Sequence, residues 1–140
     1  MKKNGIINQE LMAALTGLGH TSAFLLCDAG YSVPKGIQKI DLALVAGIPS
    51  FFECLNAILF EVVIEEITIP KQMEEYNEAS FKRIIRMFQN QKKNIIDIND
   101  FVNKAVDVKF VVRSGELTPY SNIILSAASG VEQFKNNFVI

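Results

Sequence analysis

The residue with the clearest capacity for acid–base chemistry is His20, the single histidine of the chain. An imidazole titrates near neutral pH, so it can give and take protons under working conditions. His20 follows Gly19 in a turn and precedes an apolar run at residues 22–27. Its position leaves two interpretations open: a proton shuttle in an active site, or a surface histidine in a turn without a chemical role.

A second candidate, Asp28, ends this apolar run and is followed by Ala29 and Gly30. Small neighbours leave room for a ligand to approach the carboxylate, although a turn-forming Asp that bonds its own backbone fits the same pattern. If His20 precedes and Asp28 follows one strand of about seven residues, the two lie ~20 Å apart at ~3.3 Å per residue. Either His20 then folds back over the sheet, or two chains assemble one site.

Tyr120 and Asn122 flank Ser121 at the start of the last apolar run. Residues i and i+2 of a strand point the same way, which places a phenol beside a carboxamide. Such a pair suits a sugar, because it offers donors, acceptors and a flat apolar face. A turn tyrosine beside a capping asparagine is the alternative. In the loop just before them, we expect Arg113 and Glu116 to form a closing ion pair.

The elements that must position these residues alternate along the chain. Apolar patterns predict strands at residues 22–27, 40–45, 62–69, 95–98, 109–112 and 122–126, and helices at residues 9–16, from Pro49-Ser50 onward, at 77–90 and at 101–106. This alternation predicts an α/β fold: one layered domain over residues 1–140, with a mostly parallel central sheet flanked by helices. Ligands of such sheets bind beyond the carboxyl ends of the strands, which selects Asp28 and the loop at 113–122.

The charge balance excludes several classes of partner. The chain has 14 Lys and Arg against 15 Asp and Glu, for a net charge of −1. This near-neutral balance gives no electrostatic drive toward nucleic acid or an anionic membrane, so we expect neither as a partner. Hydrophobic residues make up 49% of the 140 residues. So much apolar surface on a nearly uncharged chain favours a homo-oligomer.

The sequence contains no complete motif for binding a metal or a nucleotide cofactor. Cys27 and Cys54 lie in separate apolar runs, so we expect no disulfide framework and no metal site. Residues 17–22 begin like a GxGxxG motif, but Ser22 stands in place of the third glycine and a strand follows instead of preceding. The basic N-terminus leads into no apolar signal region. We therefore expect a cytoplasmic protein with reduced cysteines and no cofactor.

Four segments carry a more specific pattern: residues 17–30 (GLGHTSAFLLCDAG), 39–44 (KIDLAL), 47–51 (GIPSF) and 112–125 (VRSGELTPYSNIIL). Together they resemble the signature of D-ribose pyranases over nearly the whole chain, and L-fucose mutarotases are similar relatives that share fewer of these residues. The resemblance implies a ribose-pyranase-like α/β fold and a cofactor-free isomerase of ribose catabolism, which interconverts the pyranose and furanose forms of D-ribose. It also implies sites at the subunit interfaces of a homo-oligomer, typically a decamer of stacked pentameric rings.

By the same resemblance, His20 matches the catalytic acid, and Asp28, Tyr120 and Asn122 match sugar-binding positions. The family carries a second histidine where Ile98 stands in this chain and a lysine where Val102 stands, and residues 131–140 extend past the usual end of the family. These departures leave two alternatives open. One is a mutarotase for L-fucose or another sugar, and the other is a non-catalytic, transport-associated sugar-binding relative.

Overall fold

The computed structural model describes residues 1–130, so the extra segment expected at residues 131–140 lies outside the described part. In chain order the elements are α1 (Gln9–Thr16), β1 (Ala23–Cys27), β2 (Gln38–Asp41), α2 (Phe51–Glu61), β3 (Ile64–Pro70), α3 (Gln72–Tyr76), α4 (Glu78–Met87), β4 (Lys92–Ile96), α5 (Ile98–Ala105), β5 (Phe110–Arg113) and β6 (Ile123–Ala127). None of these helices is long and apolar enough to cross a lipid bilayer.

The six strands form one sheet in the order β2-β5-β1-β6-β3-β4, with β2 and β4 at its edges. The pairs β2–β5, β5–β1 and β3–β4 are parallel, whereas β6 runs antiparallel to both of its neighbours. All strands of residues 1–130 except β6 therefore share one direction, which confirms the predicted mostly parallel α/β sheet. Because β6 is reversed, its first residue, Ile123, pairs with Leu26 near the end of β1.

Alternating side chains of β1 build a core on each face of the sheet. Phe24 and Leu26 join the larger core, which α1, α2 and α4 cover. Leu25 and Cys27 point to the opposite face and pack with Phe101 of α5. Complete burial of such side chains stabilises the fold by roughly 1.5–3 kcal/mol each, and it fixes the register of the central strand.

The helix predicted from Pro49-Ser50 begins as expected. The Ser50 hydroxyl accepts a hydrogen bond from the Glu53 N–H at 3.2 Å, and the Glu53 carboxylate accepts one from the Ser50 N–H at 2.7 Å. This reciprocal capping box satisfies two backbone donors at the first turn of α2. The helix predicted at residues 9–16 also has the bounds of α1.

Two predicted strands differ from the structure, two predicted helices have other bounds, and one helix was not predicted. The helix predicted at residues 77–90 spans Glu78–Met87, and the helix predicted at 101–106 spans Ile98–Ala105. The strand predicted at residues 40–45 ends at Asp41, whose carboxylate accepts the Ala43 N–H at 3.1 Å and turns the chain into an exposed hairpin. The strand predicted at residues 95–98 is displaced toward the N-terminus, because the Asp97 carboxylate accepts the Asn99 N–H at 3.0 Å and starts α5. Helix α3 was not predicted, since five residues are too few to show a helical period.

Candidate functional site

Asp28 lies directly after β1, at the carboxyl edge of the sheet. Its Oδ1 accepts the Gly30 N–H at 3.0 Å, and its own N–H donates to Asn122 Oδ1 at 3.0 Å. Burial raises the pKa of the Asp28 carboxyl, and hydrogen bonds from Gly30 and Asn122 offset part of that rise. The carboxyl group is thus partly shielded and held in a fixed position next to a polar partner.

Asn122 comes to Asp28 because β6 is antiparallel to β1. The two residues are 94 positions apart in the chain, yet the start of β6 lies against the end of β1. Only 4% of Asn122 is exposed, so its amide is a buried polar group that requires partners. The structure therefore joins two of the predicted sugar-binding residues in one cluster.

Tyr120 lies two residues before this cluster, but not for the reason predicted. Its φ of 58° is left-handed, so Tyr120 belongs to a turn and not to a strand. The argument from alternating strand side chains was therefore wrong for Tyr120 and Asn122. Instead, the Asn122 N–H donates to the Tyr120 carbonyl at 2.8 Å, and the Tyr120 ring lies 5.6 Å from the ring of Tyr76.

The expected ion pair between Arg113 and Glu116 is wrong. Arg113 Nη1 instead contacts both carboxylate oxygens of Asp41, at 3.0 and 3.1 Å, and Arg113 Nε donates to the Ala29 carbonyl at 3.0 Å. Asp41 ends β2 and Arg113 ends β5, and these two residues are register partners in the sheet. Arg113 therefore ties the backbone beside Asp28 to the neighbouring strands.

Glu116 caps the loop that carries Tyr120. Its carboxylate accepts the Phe51 N–H at 3.2 Å and the Thr118 hydroxyl at 2.8 Å. The next residue toward β5, Gly115, donates its N–H to the Pro49 carbonyl at 2.8 Å and accepts the Gly47 N–H at 2.7 Å. The loop is therefore clamped against the hairpin that follows β2.

His20 lies at the opposite end of β1 from Asp28. Its Nε2 is 3.1 Å from Glu65 Oε2, and 55% of its side chain is exposed. The Thr21 N–H donates to the Ala127 carbonyl at 2.9 Å, which anchors the turn to the end of β6. Within one chain the structure thus separates His20 from the Asp28 cluster. Sequence reasoning missed Glu65, because its contact with His20 depends on strand order and has no local signal.

Ile98 and Val102 occupy the positions where the sequence departs from the resembled family. Ile98 is the first residue of α5 and packs against the apolar cluster that contains Phe101. Its N–H donates to Gln72 Oε1 at 3.0 Å. Val102 is 42% exposed. Neither side chain can exchange protons, so no acid–base group stands at either of these two positions.

A nucleophilic or metal-based reaction finds little support in this cluster. Cys27 directly precedes Asp28, but burial raises the pKa of its thiol to about 12, which keeps the thiol protonated. Within residues 1–130, no three side chains of His, Cys, Asp or Glu are grouped closely enough to hold a metal ion. The described polar groups are suited to hydrogen bonding of a neutral, hydroxyl-rich ligand.

The sheet and its polar edge place the chain among α/β proteins that bind ligands beyond the carboxyl ends of their strands. The chain belongs to the RbsD / FucU transport protein family, whose model matches residues 1–131. It is 41% identical to a D-ribose pyranase of Bacillus licheniformis over 127 residues, covering 91% of this chain and 97% of that protein. It is 35% identical to a D-ribose pyranase of Rhodopirellula baltica over 131 residues, with the same two coverages.

Solved structures share the fold. RbsD of Bacillus subtilis, determined in complex with D-ribose, superposes with a TM-score of 0.88 at 36% identity, covering 91% of this chain and 98% of that one. The fucose mutarotase of Streptococcus pneumoniae superposes with a TM-score of 0.72 at 22% identity, covering 89% of this chain and 95% of that one. The second likeness shows the fold alone.

Proposed function

We propose that this chain is a D-ribose pyranase, an isomerase that interconverts the pyranose and furanose forms of free D-ribose. The observation that carries the proposal is the Asp28–Asn122 pair at the sheet edge, with an N–H to Oδ1 distance of 3.0 Å. This pair lies in a fold that superposes on a ribose-bound relative with a TM-score of 0.88. Relatives that are 35% and 41% identical carry the same activity in their names.

The reaction requires proton transfer and no electron transfer, so the proposal includes neither a metal nor a redox cofactor. A base removes the proton of the anomeric hydroxyl while an acid protonates the ring oxygen, and the hemiacetal opens to the aldehyde. A different hydroxyl then attacks the aldehyde carbon and loses its proton to the base, while the acid protonates the aldehyde oxygen, which becomes the anomeric hydroxyl of the other ring. General acid–base catalysis of this kind contributes ~10²–10⁴-fold, a scale that suits a reaction which already proceeds unaided.

His20 is the proposed proton shuttle. Its Nε2 lies 3.1 Å from Glu65 Oε2, so the carboxylate can orient the imidazole ring. More than half of the side chain is open to solvent or to a ligand, at 55% exposed. A sugar can therefore exchange a proton with the imidazole only if it approaches this end of β1.

Asp28, Tyr120 and Asn122 are the proposed sugar-binding residues. The Asp28 carboxylate accepts hydrogen bonds from sugar hydroxyls, the buried amide of Asn122 fixes Asp28, and the Tyr120 ring offers an apolar face with a phenol. Sugar recognition depends on directional hydrogen bonds, and the fixed positions of Asp28 and Asn122 provide them without a large ordering cost on binding.

The separation of His20 from Asp28 supports a site assembled from two copies of the chain. His20 precedes β1 and Asp28 follows it, so one copy supplies the shuttle and its neighbour supplies the binding cluster. A homo-oligomer follows from this arrangement, and the proposed form is a decamer of two pentameric rings. A cytoplasmic location belongs to the same proposal.

Ile98 supports a second candidate. An apolar side chain at this position removes one acid–base group from the proposed site, which favours a non-catalytic, transport-associated sugar-binding protein. A mutarotase for L-fucose or another sugar is the corresponding catalytic variant. Both candidates keep the Asp28 cluster and differ from the main proposal in rate or in substrate.

Saturation-transfer NMR between the ring forms of ribose tests the proposal. The wild-type protein is expected to accelerate exchange of D-ribose, and His20→Ala is expected to lose that acceleration while keeping the same elution volume on a sizing column. Asn103→Ala, at an exposed position of α5, serves as the matched control. Exchange by His20→Ala at the wild-type rate would refute the shuttle.

Parallel samples with L-fucose and other pentoses separate the candidates. Acceleration of another sugar, with none of ribose, assigns the protein to a different sugar specificity. Ribose binding without acceleration of any sugar selects the non-catalytic candidate. A monomer on the sizing column would contradict the site shared between copies.

A further inference from the structure

Asn77 makes an unusual use of its side chain at the junction of α3 and α4. Only 8% of the residue is exposed. Its Nδ2 donates to the Pro119 carbonyl at 3.0 Å and to the Ser121 hydroxyl oxygen at 3.1 Å. Both acceptors belong to the turn that carries Tyr120, and they flank that residue on its two sides.

The side chain of Asn77 is not used to cap a helix. Asn77 is the last residue before α4, where an asparagine oxygen ordinarily accepts a backbone N–H of the first turn, yet no such bond forms. Its backbone already serves both helices, because its N–H donates to the Met73 carbonyl at 2.9 Å and its carbonyl accepts the Phe81 N–H at 3.1 Å. The amide is therefore committed to the Tyr120 turn across 42 and 44 residues of chain.

The turn that Asn77 holds has a conformation that needs support. Tyr120 has a φ of 58°, a region that residues with a Cβ adopt only when the surroundings impose it. The Ser121 hydroxyl also donates to the Thr118 carbonyl at 3.0 Å, which closes the turn from the other side. If the two bonds from Asn77 are lost, the turn can relax toward negative φ.

A relaxed turn would displace the sugar-binding groups. The Asn122 N–H donates to the Tyr120 carbonyl at 2.8 Å, and Asn122 Oδ1 holds the Asp28 N–H at 3.0 Å. A chain of three contacts thus runs from Asn77 through the turn to Asp28. Tyr76, the residue before Asn77, also lies against Tyr120, with ring centroids 5.6 Å apart.

We propose that Asn77 is a positioning residue of the sugar site: it holds Tyr120 and Asn122 in the geometry that binds the sugar, without touching the sugar itself. This inference rests on the proposed function. A positioning role predicts a specific change in the kinetics. Loss of the Asn77 amide weakens sugar binding, while the proton transfer assigned to His20 of the neighbouring copy proceeds as before.

The test compares Asn77→Asp with the wild type by ring-exchange NMR over a range of ribose concentrations. The substitution keeps the size of the side chain but removes both N–H donors. We expect KM to rise roughly tenfold, as the loss of hydrogen bonds to a turn predicts, with kcat within about threefold of the wild type. A purely structural role would lower the active fraction, and therefore kcat, and would leave KM unchanged.

Three further variants keep the test decisive. Asn103→Asp adds the same charge at an exposed position of α5 and should leave KM unchanged. Ser121→Ala removes one of the two acceptors and should raise KM by a smaller factor, which preserves the test if Asn77→Asp does not fold. Asn122→Ala reports on the proposed binding site independently of Asn77. Wild-type KM in Asn77→Asp and in Ser121→Ala, with a raised KM in Asn122→Ala, overturns the inference alone.

Failure of the proposed function has a different signature. If the wild type accelerates no exchange, the ribose Kd of each variant replaces KM, and a Kd of Asn77→Asp equal to that of the wild type overturns the inference. A Kd raised roughly tenfold supports it. If the wild type does not bind ribose, both the proposed function and the inference are refuted.

Discussion

Gly115 lies where two backbones meet, between the end of β5 and the hairpin that follows β2. A Cβ built at Gly115 would stand 2.5 Å from the Ile48 carbonyl oxygen, 2.7 Å from its carbonyl carbon and 2.8 Å from its nitrogen. These are backbone atoms, so no side-chain rotation can relieve the overlap. We therefore expect Gly115→Ala to push the hairpin away from the loop that carries Tyr120.

The size of the effect follows from two contributions. Overpacking of a closely packed region costs ~1–3 kcal/mol. The displacement also strains the hydrogen bonds of Gly115 with Pro49 and Gly47, which are 2.8 and 2.7 Å long. Each such bond contributes ~0.5–1.5 kcal/mol. A total of about 2–6 kcal/mol corresponds to a fall in Tm of about 6–18 °C for a domain of this size.

Thermal unfolding followed by circular dichroism at equal protein concentrations measures this fall. Gly19→Ala is the matched control, since a Cβ at Gly19 meets nothing closer than the Ser22 hydroxyl at 3.7 Å. We expect the control to unfold within about 2 °C of the wild type, because a compatible alanine only reduces the freedom of the unfolded chain. A Tm of Gly115→Ala within the same interval would refute the reasoning from close approach.

Further predictions concern the carboxyl group of Glu116, the two cysteine thiols and the ring of Tyr76. Burial raises the pKa of Glu116, but the hydrogen bonds that its carboxylate accepts outweigh burial and hold the pKa below its usual range. The ionised Glu116 therefore stabilises the fold at pH values above its unfolded-state pKa. The difference in Tm between the wild type and Glu116→Gln should shrink as the pH falls through the lowered pKa of the folded protein. Burial raises the pKa of the Cys27 and Cys54 thiols to about 12, so iodoacetamide at pH 8 should label them only in denaturant, and rapid labelling of the native protein would contradict this expectation. Tyr76→Leu removes the ring beside Tyr120 and should raise the KM for ribose by a few-fold, whereas an unchanged KM would show that the ring pair does not shape the site.

Residues with a local signal were identified from the sequence. Asp28 ends an apolar run that predicts a buried strand, and β1 confirms the strand, while the ligand site at its end stays a prediction. The helix after Pro49-Ser50 was predicted because its capping residues are contiguous. The parallel sheet follows from the alternation of strands and helices, which is a property of the whole chain.

The remaining features depend on contacts that the sequence does not encode locally. The Asp28–Asn122 pair exists because β6 is reversed, and nothing in residues 122–126 states the direction of that strand. Asp41, 72 residues from Arg113, replaced Glu116 as its partner because β2 and β5 are neighbours. Asn77 could not be distinguished from an ordinary helix cap, since its side-chain partners lie more than 40 residues away.

The two edges of the sheet bear on how copies of this chain can associate. The outer strand β4 begins with Lys92, and β2 carries Lys39 and Asp41 on exposed positions. Charged side chains along an edge disfavour the addition of a further strand from another molecule. Strand addition at these edges is therefore disfavoured, which leaves loops and helices as the surfaces through which the proposed homo-oligomer would form.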